Sequence, residues 1–148
     1  FKILFAAIAR NNGVVVKTIG DAVMGSFLKP LDAFNAALAA HREFASRELS
    51  QAGYLKIKMG IHSGSAIVVN LNNAVDYFGN SVNLAARVQG SVENHEVSFT
   101  QRVLDDSAVH TFLKSKRARL RHKAEHFKGI NGPVDVYTLS PETVATWV

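Results

Sequence analysis

Asn83 and Arg87 are the residues whose types and spacing most strongly indicate chemistry. They stand four residues apart in Gly79-Asn80-Ser81-Val82-Asn83-Leu84-Ala85-Ala86-Arg87. Because Asn80 or Ser81 is a good helix cap before the Ala-rich run, a helix over Asn80–Ser91 is predicted, with Asn83 and Arg87 on one face. An amide beside a guanidinium suits a sugar next to a phosphoryl group that gains negative charge. The alternative is a solvated helix face along which an arginine lies.

Asp21 is the second candidate, and its chemistry would be metal binding. It follows Gly20 between two β-rich runs of the segment Val14–Phe27, and Gly-Asp between such runs predicts a hairpin with a two-residue turn. A carboxylate at a hairpin tip can hold Mg²⁺, which takes one or two protein carboxylates and leaves its other positions to water and phosphates. The alternative for Asp21 is turn chemistry alone.

Four motifs follow one another in a fixed order along the chain. They are Lys17-Thr18-Ile19-Gly20-Asp21, Gly60-Ile61-His62-Ser63-Gly64, Asp76-Tyr77-Phe78-Gly79-Asn80 and Val82-Asn83-Leu84-Ala85-Ala86-Arg87. With these motifs the chain resembles the catalytic domain of class III adenylate/guanylate cyclases, from about Phe1 to the strand Pro133–Leu139. The resemblance implies a single α+β domain with the ferredoxin-like cyclase core, in which helices pack on one face of a mixed or antiparallel sheet.

The resemblance also implies a reaction and a role for each matched residue. A cyclase joins the ribose 3′-oxygen of a nucleoside triphosphate to its α-phosphorus and releases pyrophosphate, with the help of two divalent ions, Mg²⁺ or Mn²⁺. In this sequence Asp21 would bind metal, Asn83 would position the ribose, and Arg87 would stabilise charge on the α-phosphoryl group. Lys128, in Phe127-Lys128-Gly129, lies near the family's phosphate-contacting lysine and is the weaker match.

Lys17 and Asp76 indicate which base is bound. Adenine presents an acceptor at N1 and a donor at N6, whereas guanine presents the reverse polarity, and a lysine is an obligate donor while an ionised aspartate is an obligate acceptor. Together they suit adenine, and they match the adenine-selective positions of the family, so ATP is the expected substrate. Taken singly, Lys17 would be an ordinary strand lysine and Asp76 a turn aspartate.

One family feature is missing. The family binds its metals with two aspartates, and the first, in a strand that reads roughly Phe-x-Asp-hydrophobic-x-Gly-Phe, has no counterpart here, since no Asp or Glu occurs between Phe1 and Gly20. The chain also opens without Met, inside an amphipathic helical pattern. We therefore expect the sequence to be a fragment that lacks this strand. The rival hypothesis is a non-catalytic cyclase-like module that binds nucleotide or only dimerises.

Cyclase domains of this family pack head to tail, and each active site takes its metals from one subunit and its other functional groups from the partner. This chain matches residues of both kinds, because Asp21 belongs to the metal half while Lys17, Asp76, Asn83 and Arg87 belong to the complementary half. The resemblance therefore implies a homodimer with two equivalent shared sites.

Composition limits the remaining function classes. The chain has 148 residues, 47% hydrophobic content, a net charge of +5 and no cysteine, which fits one domain without disulfides in a reducing compartment such as the cytoplasm. No apolar run approaches the ~20 residues that span a bilayer, although a full-length protein could be tethered by other segments. The basic segment Lys114–Lys123 lacks interleaved aromatic residues, so a solvated loop and strand edge is predicted rather than nucleic-acid binding.

The elements that must position these residues follow a mixed order of helices and strands, which favours helices laid on one face of a mixed or antiparallel sheet, an α+β arrangement. Besides the hairpin and the Asn/Arg helix, the patterns predict helices, strands and one turn in the following places: helices to Asn12, over Leu31–Leu49 and over Gln101–Ser107; strands at Tyr54–His62, Ser65–Leu71, Glu96–Thr100, Arg119–Lys128 and Pro133–Leu139; and a turn at Asn72-Asn73.

Two histidine patterns are interpreted as structural. His122-Lys123-Ala124-Glu125-His126 matches the H-x-x-E-H of inverted zinc proteases, which requires a helix and a downstream carboxylate ligand. The segment is predicted to be a strand, so a zinc site is rejected. His62 is expected to be a packed residue of its Gly-Ile-His-Ser-Gly motif and not a catalyst.

Overall fold

A computed structural model describes residues 1–50, 56–93 and 95–147. Within these ranges, only the side chains of residues 48–50 are not described. Helices and strands are mixed along the chain, with several strands following one another directly. The elements are α1 (Lys2–Arg10), β1 (Val14–Ile19), β2 (Ala22–Ser26), α2 (Pro30–Ser50), β3 (Met59–Ile61), β4 (Ile67–Leu71), β5 (Ala74–Phe78), α3 (Asn80–Gly90), β6 (Val97–Thr100), α4 (Gln101–Leu104), α5 (Ser107–Ser115), β7 (Arg121–Glu125), β8 (Val134–Leu139) and α6 (Pro141–Ala145).

The central sheet is mixed and has the strand order β3-β6-β8-β7. Strands β3 and β6 run parallel, whereas β8 is antiparallel to both β6 and β7. Two antiparallel hairpins, β1–β2 and β4–β5, form separate two-stranded sheets. The predicted α+β class with a mixed sheet is therefore confirmed.

The core is formed by the central sheet together with helices α2, α4, α5 and α6. Phe34 and Leu38 of α2 are buried, and the Phe34 ring meets Phe99 of β6 edge-on, with ring centroids 5.3 Å apart. The helical spacing of Phe34, Leu38, Ala45 and Leu49 in the sequence predicts a buried stripe on this helix. Phe34 and Leu38 are buried as predicted, whereas Ala45 is only partly buried and its neighbour Phe44 is buried instead. The predicted stripe residue Leu49 lies outside the side chains described.

Both predicted turns are present, and both are set by backbone conformation. Gly20 has φ 60°, and Ile19 pairs with Ala22, so Gly20 and Asp21 form a two-residue hairpin turn. Asn72 and Asn73 have φ 51° and 62°, the left-handed values that a tight hairpin turn between β4 and β5 requires.

Several predicted boundaries are wrong. The helix expected over Gln101–Ser107 ends at Leu104, and a new helix, α5, begins at Ser107 because the Asp106 side chain accepts the amide hydrogens of Ala108 and Val109. Strand β5 and helix α6 were not expected. The strand expected at Tyr54–His62 begins outside the described residues, and the part described as a strand is Met59–Ile61.

The basic segment Lys114–Lys123 is exposed and reaches an edge strand, as predicted for its structure. It runs from the end of α5 into β7, which is an edge strand of the central sheet, and its cationic side chains are exposed. Arg121 is held there by Glu96, a buried carboxylate 3.0 Å away. In the described part of the chain, none of the helices combines the length and hydrophobicity needed to cross a bilayer.

The burial of His41 leads to a prediction of how the stability of the protein depends on pH. It is 5% exposed on α2, and among the described residues its Nε2 has no hydrogen-bond partner. Burial is the main cause that lowers the pKa of His41 in the folded protein. Below about pH 6.5, the usual pKa of histidine, the unfolded chain therefore binds more protons than the folded protein. The free energy of unfolding has its full value above that pH and falls as the pH is lowered.

We expect His41→Leu to retain more of its stability than the native chain when the pH is lowered from neutral to acidic values. Urea unfolding at several pH values measures this. The matched control is His110→Leu, at an exposed position of α5, which should keep the native pH dependence. An unchanged pH dependence in His41→Leu would contradict the assignment. The pKa of His62 is also lowered, chiefly by burial, so His62 should account for part of the pH dependence of stability that His41→Leu keeps.

Candidate active site

The face of helix α3 that carries Asn83 and Arg87 borders a cleft of about 360 Å³. Asn83 and Arg87 lie on this side of the helix, one turn apart as their spacing predicts, and the loop after β7 brings Lys128 to the same cleft. The complete lining is Asn80, Asn83, Ala86, Arg87, Lys128, Gly129 and Ile130. An amide, a guanidinium and an ammonium group thus converge on one space, a donor set suited to a sugar and phosphate groups.

The predicted cap of this helix is wrong. Residue Gly79, with φ 129°, occupies the N-cap position, and no side chain caps the helix there. The Asn80 side chain lines the cleft, whereas Ser81 lies toward Gly64, on the side of the loop that follows β3. A glycine suits the sharp entry from β5 into α3, since φ in this range is strained for other residues. The missed cleft residue Asn80 was detectable, because it lies three positions before Asn83 on the same helical face.

Lys17 and Asp76 form an ion pair between two hairpins. Lys17 lies on β1 and Asp76 on β5, and Lys17 Nζ is 2.7 Å from Asp76 Oδ2. Asp76 Oδ1 accepts the backbone N–H of Tyr77 at 2.7 Å. The hydrogen bond from Lys17 is the main cause that lowers the pKa of Asp76, and the Tyr77 amide adds to it, so the carboxylate is ionised at neutral pH.

This ion pair gives both side chains a defined position. Asp76 is a strand residue paired with Val69, not the turn aspartate that it could have been when taken singly. The Lys17 ammonium also lies 5.6 Å from the centre of the Phe78 ring. The exposed fractions of the two side chains are 36% and 23%, so a planar ligand can reach this donor and acceptor.

Asp21 lies apart from the α3 cleft. It is exposed at the tip of the β1–β2 hairpin and does not line the cleft. Within residues 1–50, 56–93 and 95–147, no three His, Cys, Asp or Glu side chains are grouped to hold a metal ion. One carboxylate fits part of a two-ion site, in which paired carboxylates hold the ions close together.

The two histidine patterns behave as packed or strand residues. His62 follows β3, and its Nδ1 lies 2.8 Å from Thr100 Oγ1. His62 is not among the residues that line the cleft. The H-x-x-E-H segment begins on strand β7, and His122 Nε2 contacts Asp135 Oδ1 of the neighbouring strand at 2.8 Å. A strand cannot place the two histidines as a zinc protease helix does.

Comparison with known proteins agrees with this architecture. The family model of the adenylate and guanylate cyclase catalytic domain matches residues 1–141. An uncharacterised protein of Mycobacterium tuberculosis is 28% identical over 129 residues, which are 87% of this chain and 30% of that protein. The chain therefore spans less than a third of this relative.

Two solved structures have the same fold. An adenylate/guanylate cyclase/hydrolase from Silicibacter pomeroyi superposes with a TM-score of 0.76 at 24% identity, over 94% of this chain and 79% of that one. An adenylate cyclase of Trypanosoma brucei, solved in its monomeric state, gives a TM-score of 0.79 at 18% identity, over 95% of this chain and 76% of that one.

Proposed function

This chain belongs to the adenylate and guanylate cyclase catalytic domain family, and we propose that it serves as the catalytic domain of an adenylate cyclase, a phosphorus–oxygen lyase that makes cyclic AMP as a signal. The observation that carries the choice of ATP is the ion pair between Lys17 and Asp76. It holds one obligate donor next to one obligate acceptor, which is the polarity that the Watson–Crick edge of adenine requires.

Base binding exchanges one set of polar contacts for another. In the free protein Lys17 Nζ donates a hydrogen bond of 2.7 Å to Asp76 Oδ2. When adenine binds, the Lys17 ammonium donates to N1 and the Asp76 carboxylate accepts from the N6 amino group. Guanine would place its N1 donor against the lysine and its O6 acceptor against the carboxylate, leaving like polarities opposed. Such a mismatch leaves polar groups unpaired and costs affinity in the transition state.

The residues that line the α3 cleft bind the sugar and the phosphates of the substrate. Asn83 hydrogen-bonds the ribose so that its 3′-oxygen faces the α-phosphorus. This oxygen loses its proton to water and forms a bond to phosphorus, while the bond from phosphorus to the pyrophosphate oxygen breaks and pyrophosphate leaves. Arg87 donates to the α-phosphoryl oxygens as negative charge grows on them, and Lys128 contacts the leaving phosphates.

Two divalent ions, Mg²⁺ or Mn²⁺, would supply acidification of the 3′-hydroxyl and screening of the triphosphate. Asp21 is the residue of this chain that would hold them, together with a second carboxylate, which residues 1–20 do not contain. The activity tests below use the extended protein, defined as this chain joined at its amino end to a family-type first strand that carries that second carboxylate.

We propose a homodimer with two shared sites because Asp21 and Arg87 are not brought into one cleft within a single chain. The β4–β5 hairpin supports a second copy as partner. Its exposed apolar side chains, with 44% to 66% of their surface accessible, are Ile67, Val68, Leu71, Val75 and Phe78. By the strand register, Ile67, Leu71 and Phe78 share one face of the hairpin, and exposed apolar side chains grouped on one face favour a protein–protein contact there. A cytoplasmic location, where ATP is supplied, also fits the cysteine-free composition.

The alternative function is a non-catalytic nucleotide-binding or dimerisation module. The observation in its favour is that no Asp or Glu precedes Asp21. The extended protein separates the two functions, because a catalytic domain cyclises ATP once a second carboxylate is supplied, whereas a degenerate module stays inactive.

The proposed base selection is tested by exchanging the polarity of the pair. In the extended protein, Lys17→Glu with Asp76→Cys should shift the ratio of kcat/KM for ATP to that for GTP by at least about tenfold toward GTP, because the donor and acceptor positions are reversed or removed. Steady-state assays with both nucleotides measure the ratio. Lys114→Glu with Asp105→Cys makes the same charge changes at exposed positions and should leave it unchanged. An unaltered ratio in the first double variant would show that these residues do not select the base.

A further inference from the structure

One face of helix α3 borders the cleft, and the opposite face packs against the rest of the domain. Asn83 and Arg87 line the cleft, whereas Val88 on the other side is fully buried. Strand β3 and the loop after it, which together form the motif Gly60-Ile61-His62-Ser63-Gly64, lie against this second face. The position of α3 on this motif therefore sets where the cleft side chains lie.

Gly60 allows the last turn of α3 to approach β3 through its backbone. A Cβ atom on Gly60 would lie 2.3 Å from the backbone nitrogen of Gln89 and 2.7 Å from its Cα. No rotamer change can relieve a contact with backbone atoms, so any side chain at this position must displace the helix.

Gly64 allows a similar approach at the first turn. A Cβ atom on Gly64 would lie 2.3 Å from Ser81 Oγ, and both Ser81 Cβ and His62 Nε2 would be 3.1 Å from it. Here the obstacle is a side chain, which a second substitution can remove. The two glycines thus contact α3 near Ser81 and Gln89, and the cleft residues Asn83 and Arg87 lie between these points.

We propose that Gly60 and Gly64 are positioning residues that fix the depth of α3 and so hold Asn83 and Arg87 at the distance the reaction requires. This inference rests on the proposed cyclase function and names the part of the fold that sets its geometry. Neither glycine has a left-handed φ, so the requirement is close approach and not backbone conformation.

The test introduces one methyl group at each contact of the extended protein. We expect Gly60→Ala, whose methyl group would meet backbone atoms of Gln89, to lower kcat by about 10²-fold with KM for ATP within about threefold, because a displacement near 1 Å misplaces reacting groups. Ser81→Gly should not rescue this variant. Gly64→Ala, whose methyl group would meet a side chain, should lower kcat by a smaller factor, and Ser81→Gly combined with Gly64→Ala should restore kcat to that of Ser81→Gly alone. Gly90→Ala, on the same helix with no atom near the added methyl group, is the matched control.

A second readout does not depend on turnover. In NMR spectra of the chain, Gly60→Ala should shift the side-chain amide signal of Asn83 and the Nε–H signal of Arg87. Gly64→Ala should shift them less, and Ser81→Gly should return them in that variant. The inference is overturned if Gly60→Ala leaves kcat and these signals unchanged. If the native extended protein makes no cyclic nucleotide, the proposed function fails, and the NMR signals still decide whether the glycines position the helix.

Discussion

The 148-residue chain, purified and supplied with ATP and either Mg²⁺ or Mn²⁺, is expected to form little or no cyclic AMP. Asp21, exposed at the hairpin tip, is the one carboxylate between residues 1 and 31 of the chain. A two-ion mechanism needs a pair of carboxylates to hold the ions close together, so activation of the ribose 3′-hydroxyl would fail while the α3 cleft is intact. Chromatographic detection of cyclic AMP measures the outcome.

The extended protein is the positive control for this expectation. It should form cyclic AMP, and changing the carboxylate of its added strand to the amide should abolish the activity again. Robust cyclic AMP formation by the 148-residue chain alone would show that Asp21 needs no partner carboxylate. An extended protein that binds ATP and dimerises without turnover would instead establish the non-catalytic alternative.

The parts of the site that sequence reasoning predicted are those fixed by local geometry. Asn83 and Arg87 share a face because helical periodicity places residues four apart together. The Gly20-Asp21 turn follows from the preference of two-residue hairpin loops for positive φ. Both outcomes depend on a few consecutive residues, which a sequence displays directly.

Contacts between distant segments could not be predicted from pattern alone. The ion pair of Lys17 with Asp76 joins residues 59 positions apart, and the resemblance to the family, not periodicity, linked them. Strand β5 was missed because Asp76 and the glycine after Phe78 are typical of turns, whereas pairing with β4 overrides this preference. Lys128 reaches the α3 cleft only through the loop after β7, a tertiary arrangement.

The missed helices have different causes. Helix α5 had a readable signal, since Asp106 is a good cap before the apolar residues Val109, Phe112 and Leu113 at helical spacing. Helix α6 is only five residues long, and its place depends on burial of Val144 and Trp147 in the core. An isolated helix of that length is not stable, so tertiary packing decides its existence.

The proposed homodimer with shared sites leads to a complementation experiment. In the extended protein, Asp21→Ala and Arg87→Ala should each be nearly inactive as homodimers, because every site then lacks either its metal ligand or its charge-stabilising arginine. Mixing the two should restore activity. In a mixed dimer one site collects both lesions and the other collects neither, so random exchange of equal amounts should give about one quarter of the native activity, given two symmetric sites per dimer.

The decisive control places both lesions in one chain. When native protein is mixed with Asp21→Ala/Arg87→Ala, each site of a mixed dimer takes one lesion, so mixed dimers should be inactive. If each chain instead carried a complete site of its own, the result would be reversed: the two single variants would not complement, and mixed dimers of native and double variant would keep half of their sites. Subunit exchange, verified with two different affinity tags, is required in both mixtures. Absence of rescue after verified exchange would refute the shared site, since residues on separate chains cannot cooperate unless the chains associate around a common substrate.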